Sequence, residues 1–130
     1  MSPAVLNGLT IVVVEDHADA RRYLELFLRQ QGANVIGARN AADGLEVIKN
    51  YRPTLVLSDI LMPGGDGFQL LREIRELEKG RDRGVPVIAM TALMSQADGR
   101  RILDAGFSAY LRKPFTPARL LETIRSVLSD

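Results

Sequence analysis

Short apolar runs alternate along the chain with longer stretches in which apolar residues recur at helical spacing. The runs are Thr10–Val14, Asn34–Ala38, Thr54–Ser58, Pro86–Met90 and Ser108–Leu111. Between the first two, Ala20, Tyr23/Leu24 and Phe27/Leu28 fall on one stripe of an amphipathic helix. Ala41, Leu45 and Ile48 repeat the pattern. So do Gly67, Leu70/Leu71, Ile74 and Leu77, and then Leu120/Leu121, Ile124 and Val127/Leu128. The stretch from Ser95 to Ala105 is weaker, because Gly99, Arg100 and Arg101 interrupt its stripe; this helix is expected to be the least firmly packed.

The residues between the periodic stretches agree with these boundaries. Asn40, Asp66, Ser95 and Thr116 stand where N-caps belong, and Pro117 takes a first-turn position. Ser95 with Asp98 approximates a capping box, with Asp in place of the usual Glu. Gly32 and Gly106 follow helical patterns at the place of a C′ glycine. The charged segment Lys79–Gly84 reads as a solvated surface loop.

Strands that alternate with helices predict an α/β fold, a parallel sheet covered on both faces. The first and third runs are nearly continuous in Val, Ile and Leu, as strands buried on both sides should be. Right-handed crossovers leave only a few doubly wound strand orders. In any of them the C-terminal ends of the strands share one edge, and ligands bind there where the order reverses. Asp16, Asp59, Thr91 and Lys113 each follow one of the runs, so the fold would gather them at one spot.

Composition narrows the picture without changing it. The chain has 130 residues, 46% hydrophobic and 25% charged, which suits one globular domain with its own core. There is no cysteine, hence no disulfide framework, zinc-finger spacing or thiol nucleophile. A formal charge of +1, with Lys and Arg spread along the chain, gives no support to a nucleic-acid surface. No apolar run approaches the roughly 20 residues of a membrane span, and Met1-Ser2-Pro3-Ala4 has no signal-peptide character. A soluble, cytoplasmic domain without membrane insertion is expected.

The chemistry follows from the side chains at the shared edge. If the first and third strands are neighbours, Glu15, Asp16 and Asp59 form a three-carboxylate cluster, which repels itself unless a proton or cation intervenes. Hard oxygen donors with room for water favour Mg²⁺ over zinc or copper. A carboxylate can attack phosphorus to give an acyl phosphate, and a lysine offsets charge on the transferring group. Thr91 can donate a hydrogen bond to a phosphate oxygen. His17, the single histidine, sits beside the acidic pair and reads as a solvated loop residue.

Glu15-Asp16, Asp59 with Met62-Pro63 and Asp66-Gly67, Thr91-Ala92, Tyr110, and Lys113-Pro114-Phe115 occur together in this order. The combination resembles a receiver domain of the two-component response-regulator family, chemotaxis-regulator-like, from about Leu9 to Leu128. The resemblance implies a flavodoxin-like, doubly wound sheet of five parallel strands in the order 2-1-3-4-5, flanked by five helices. It implies that Asp59 accepts a phosphoryl group from a phosphohistidine on a histidine kinase or histidine phosphotransfer protein. Asp16, Asp59 and the backbone carbonyl of Leu61 would hold Mg²⁺, with Glu15 acting through water. Lys113 would pair with the phosphate, and Thr91 would turn towards it as Tyr110 moves inward. That movement would alter the face of the last two helices and the strand between them, for a downstream protein or the chain's own output domain. Phosphorylation-dependent dimerisation stays open, and a cis Lys113-Pro114 peptide is expected.

The chain departs from the family pattern in places. Glu15 stands where Asp is common. Leu61 and Leu93, two residues after Asp59 and Thr91, are apolar and would hinder an attacking water, so slow self-dephosphorylation is expected. Gly64-Gly65 makes the loop after Asp59 permissive. Only Ser129-Asp130 follow Leu128, so no output domain is expected within this sequence. Two rivals remain. One is a Mg²⁺-dependent phosphohydrolase with an aspartyl nucleophile, against which Leu61 stands where such enzymes place a second Asp. The other is an interaction module of the same fold that is never phosphorylated.

Overall fold

The computed structural model describes residues 5–62, 66–92 and 95–129. Pro63, Gly64, Gly65 and Leu93, on which part of the expected site falls, lie outside the described residues, as do Met1–Ala4 and Asp130. Strands and helices alternate along the chain: β1 Thr10–Val14, α1 Ala18–Gln30, β2 Asn34–Ala38, α2 Ala41–Tyr51, β3 Leu55–Asp59, α3 Gly67–Leu77, β4 Val87–Thr91, α4 Gln96–Ala105, β5 Ala109–Arg112 and α5 Pro117–Leu128. The five strands form one parallel sheet in the order β2-β1-β3-β4-β5, the order expected. Chain order reverses beside β1, so β1 and β3 are neighbours, with Val14 opposite Ser58.

Side-chain alternation divides the core in two. Ile11, Val13, Leu55, Leu57, Ile88, Met90 and Leu111 face α1 and α5, where Leu24, Leu28, Leu120 and Ile124 cover them. Val12, Val14, Val56, Val87 and Ala89 face the other way, against Ile48 of α2, Leu70 and Ile74 of α3 and Ile102 of α4. Because both faces are covered, the central strands have no solvent side, which explains their unbroken apolar sequence. Leu6, ahead of the first strand, is also buried in the α1/α5 layer, and its N–H donates to the Gln31 carbonyl at 2.9 Å.

The caps are as the sequence predicts. Asn40, Asp66, Ser95 and Thr116 each accept a hydrogen bond from the backbone three residues on, and the Asp98 carboxylate in turn accepts from the Ser95 N–H at 2.9 Å. Gly106 closes α4 with φ 112°, a left-handed conformation that costs a glycine little. Three strands lie one residue later than the apolar runs: β3 ends on Asp59, β4 on Thr91 and β5 on Arg112. Hydrophobicity marks what is buried; the backbone ladder continues through a polar residue as readily as an apolar one. Two residues of the site are therefore held within the sheet, not in loops.

The segment Lys79–Gly84 is more firmly anchored than a plain solvated loop. Glu78 at the end of α3 is buried and accepts from Arg75 at 2.7 Å and from the Val85 N–H at 2.7 Å. Arg75 also donates to the Val85 carbonyl at 2.9 Å. The loop itself remains exposed while its two ends are tied together.

Candidate functional site at the sheet edge

Glu15, Asp59 and Lys113 share the strand parity of Val13, Leu57 and Leu111, so all three emerge on the α1/α5 side of the sheet. Backbone hydrogen bonds carry the pattern past the strand ends: the Glu15 N–H donates to Ala38 at 3.0 Å and the Lys113 N–H to Thr91 at 2.8 Å. The Lys113 ammonium donates to Glu15 Oε1 at 2.7 Å and to Asp59 Oδ2 at 3.1 Å. Glu15 also accepts the His17 N–H at 3.0 Å, and its carbonyl takes the Arg21 guanidinium at 2.8 Å. Glu15 is 1% exposed and Asp59 8%, whereas Asp16 projects to solvent.

Burial raises the pKa of Asp59, and the neighbouring Glu15 charge raises it further; the Lys113 contact only partly offsets them. Burial acts the same way on Glu15, but the hydrogen bonds from Lys113 and the His17 N–H outweigh it, so its pKa is lowered. Lys113 loses solvation, yet its two carboxylate partners more than compensate and its pKa is raised. Of the two buried acids, Glu15 thus favours its charged form and Asp59 takes up a proton more readily.

One carboxylate oxygen each of Glu15, Asp16 and Asp59 lies within 4.8 Å of the others. An all-oxygen donor set of this kind, with one member open to water, fits a hard divalent cation such as Mg²⁺. Gly67 at the start of α3 comes against the same spot: a Cβ there would stand 2.6 Å from the Asp59 carbonyl oxygen. Glycine lets α3 begin directly behind the acid, and the Gly67 N–H donates to Ile60 at 2.8 Å.

Thr91 has the opposite parity. It follows Ala89, which is opposite Tyr110 in β5, so Thr91 and Tyr110 share the α4 side of the sheet two residues apart. Thr91 is 3% exposed and lines a cavity of about 130 Å³ with Ile60, Leu61, Asp66, Arg101 and Ile102. Arg101 of α4 lies over the Phe68 ring at 4.9 Å, and Phe68 meets Phe107 edge-on at 5.6 Å, which ties α4 to α3. The site therefore straddles the sheet edge, acids and lysine on one side, hydroxyl and tyrosine on the other.

Glu15, Asp16, Asp59, Thr91 and Lys113 all come to this edge. His17 meets it through its backbone N–H, which donates to Glu15, and its side chain makes no capping hydrogen bond. Leu61 is 57% exposed at the mouth of the cavity. The Lys113-Pro114 peptide is cis, as expected. Sequence reasoning missed Arg21, whose bond to a backbone oxygen leaves no mark in residue pattern. It also took Gly99 for an interruption, although Gly99 is buried against Tyr110.

Residues 11–125 match the response regulator receiver domain family, and the chain belongs to that family. It is 31% identical to the polar-differentiation response regulator DivK of Brucella anthropi, over 93% of this chain and 97% of that one. It is 38% identical to the probable transcriptional regulator ycf27 of Porphyridium aerugineum over 91% of this chain, which spans about half, 47%, of that regulator's length. The receiver domain of a Pseudomonas aeruginosa sensor histidine kinase, solved with magnesium coordinated in its active-site cleft, superposes with a TM-score of 0.83. It is 33% identical and is matched over 95% of this chain and 99% of its own. The protein is a receiver domain of two-component signalling. Among the described residues no helix is long and apolar enough to cross a membrane.

Proposed function

We propose that Asp59 is the phosphoacceptor of this receiver and that its donor is a phosphohistidine on a histidine kinase or histidine phosphotransfer protein. The observation that carries this reading is the Lys113 ammonium held 3.1 Å from Asp59 Oδ2 and 2.7 Å from Glu15 Oε1. A buried carboxylate with a raised pKa is a better nucleophile than a solvated one, and the lysine stands where phosphoryl charge would develop. One Asp59 oxygen attacks phosphorus, the bond from phosphorus to the histidine nitrogen breaks, and the imidazole leaves with its electron pair. Lys113 exchanges part of its contact with Asp59 for a phosphoryl oxygen, while Glu15 keeps it in place.

Asp16, Asp59 and the Leu61 carbonyl would hold Mg²⁺, with Glu15 reached through water. When bound, the cation supplies charge neutralisation for the phosphoryl oxygens. Thr91 donates its hydroxyl to the new phosphate, and Tyr110, on the same side of the sheet, follows it. A phosphoryl group adds nearly two negative charges, enough to bias a switch between states a few kcal/mol apart. The readout is the α4-β5-α5 face, offered to a downstream protein, an output domain of the same polypeptide or a second copy. Leu61 at the cavity mouth gives water no hydrogen-bonding partner, in keeping with slow loss of the phosphoryl group. It also provides no acid for the turnover a phosphohydrolase needs.

Incubation with Mg²⁺ and acetyl phosphate, followed by intact-mass measurement, tests the reading. The wild type should gain one phosphoryl group that Asp59→Asn does not. No gain would leave an interaction module, and continuous release of phosphate over many turnovers would make the chain a phosphohydrolase.

A further inference from the structure

Gly99 looks like a flaw in α4, yet its place in the fold makes use of the missing side chain. It is one of the two buried residues of the helix, with Ile102. Its φ is not among the positive values of the glycines, so the backbone does not require glycine there. Glycine inside a helix is disfavoured relative to alanine. The space it leaves is filled: a Cβ on Gly99 would stand 2.8 Å from Tyr110 Oη, 3.0 Å from Cζ and 3.3 Å from Cε2. All three of its nearest neighbours thus belong to the phenol end of one ring. Packed interiors do not absorb such overlaps without moving a side chain or the backbone.

We propose that Gly99 is a positioning residue for the switch. By leaving room against α4 for the phenol end of Tyr110, it holds the ring in its present seat and sets how readily the phosphorylated state is reached. This rests on the reading of Thr91 and Tyr110 given above. A methyl group at position 99 would press on the far end of the Tyr110 ring, so the ring must give way and its present seat loses ground to the alternative rotamer. Any state that prefers the other ring position then binds its ligand more tightly, by the same free energy that the methyl group withdraws from the resting state.

The test uses the whole chain with Mg²⁺ and beryllium fluoride as the phosphoryl mimic. Wild type, Gly99→Ala, Tyr110→Ala and the double variant are titrated, and tyrosine ring signals are followed by NMR. Gly99→Ala should move the Tyr110 signals, without ligand, towards their beryllofluoride-bound positions, while Tyr23 and Tyr51 stay in place. It should tighten beryllofluoride binding about 5-fold or more, the lower end of usual coupling between sites. The same substitution in the Tyr110→Ala background should leave affinity unchanged. An unmoved Tyr110 ring, or an equal affinity change with and without Tyr110, would overturn the proposal. If Gly99→Ala alone does not fold, folding of the double variant places the clash at Tyr110 and supports it; failure of both overturns it. A wild type that ignores beryllofluoride would sink the phosphoacceptor reading instead, while the ring shift still decides the contact.

Discussion

Replacing Glu15 by Gln should weaken the fold and acidify Asp59 at the same time. Glu15 is 1% exposed and receives two donors, the Lys113 ammonium at 2.7 Å and the His17 N–H at 3.0 Å. Glutamine keeps one acceptor oxygen, so its NH₂ group must face one of those donors. The loss is one charge-assisted hydrogen bond, about 1.5–3 kcal/mol, with some return from relief of the repulsion between Glu15 and Asp59. A net loss of about 2 kcal/mol should lower the melting temperature by roughly 8 °C in a domain of this size. Glu15 has a lowered pKa, so its contribution is present above its ordinary value of 4.5 and disappears as the pH falls through the folded value. Thermal unfolding followed by circular dichroism, in chelator, should therefore show the gap between wild type and Glu15→Gln at neutral pH and its closure as the pH falls below the ordinary value of 4.5 through the lowered folded one. Carbon-13 NMR should show the Asp59 carboxyl titrating at lower pH in the variant, because one of the causes that raise it has gone. A variant that melts within about 2 °C of wild type at pH 7, or an Asp59 titration that does not move, would refute the arrangement.

Four further outcomes follow from contacts described above. Asp59→Asn should have the opposite sign, raising stability in chelator by on the order of 1 kcal/mol; the gain should fade towards the ordinary Asp value of 3.8, where the wild-type carboxyl is protonated too. Added Mg²⁺ should then raise the melting temperature of wild type much more than that of Asp59→Asn, as a thermal-shift titration would show. Gly67→Ala places a methyl group 2.6 Å from the Asp59 carbonyl oxygen, and urea unfolding should register a loss of about 1–3 kcal/mol with slower labelling by acetyl phosphate. Glu78→Ala strips the buried acceptor from Arg75 and the Val85 N–H, so about 1–3 kcal/mol should be lost, and hydrogen exchange should speed up at Val85 while Asp59 labelling is unaffected.

The fold was legible because alternation and helical period are direct consequences of what each layer buries. The site was legible because a parallel sheet turns strand order into spatial proximity: Asp59, Thr91 and Lys113 could be placed together before any distance was known. What could not be read was which partner each group would choose. Glu15 was expected to act on a cation through water, and its hydrogen bond from Lys113 was not foreseen. The longer Glu side chain reaches the ammonium, a matter of ångströms that residue type alone does not determine. Gly99 was misjudged for a related reason. A glycine on a helix stripe signals missing burial, and only the position of Tyr110 on a strand further along the chain reveals that the gap is filled. The clip from Arg75 through Glu78 to Val85 joins charges that look solvated in sequence, because the geometry of the loop brings them back.

The bond between Lys113 and Glu15 joins residues 98 positions apart, and Asp59 lies between them in sequence. No portion of the chain that stops before β5 can complete the charge balance of the site. On the ribosome, where the N-terminal part emerges first, the two buried acids wait for their cation until β5 has followed them. Charge balance around Asp59 thereby becomes a property of the assembled sheet, and no shorter stretch of it carries that balance alone.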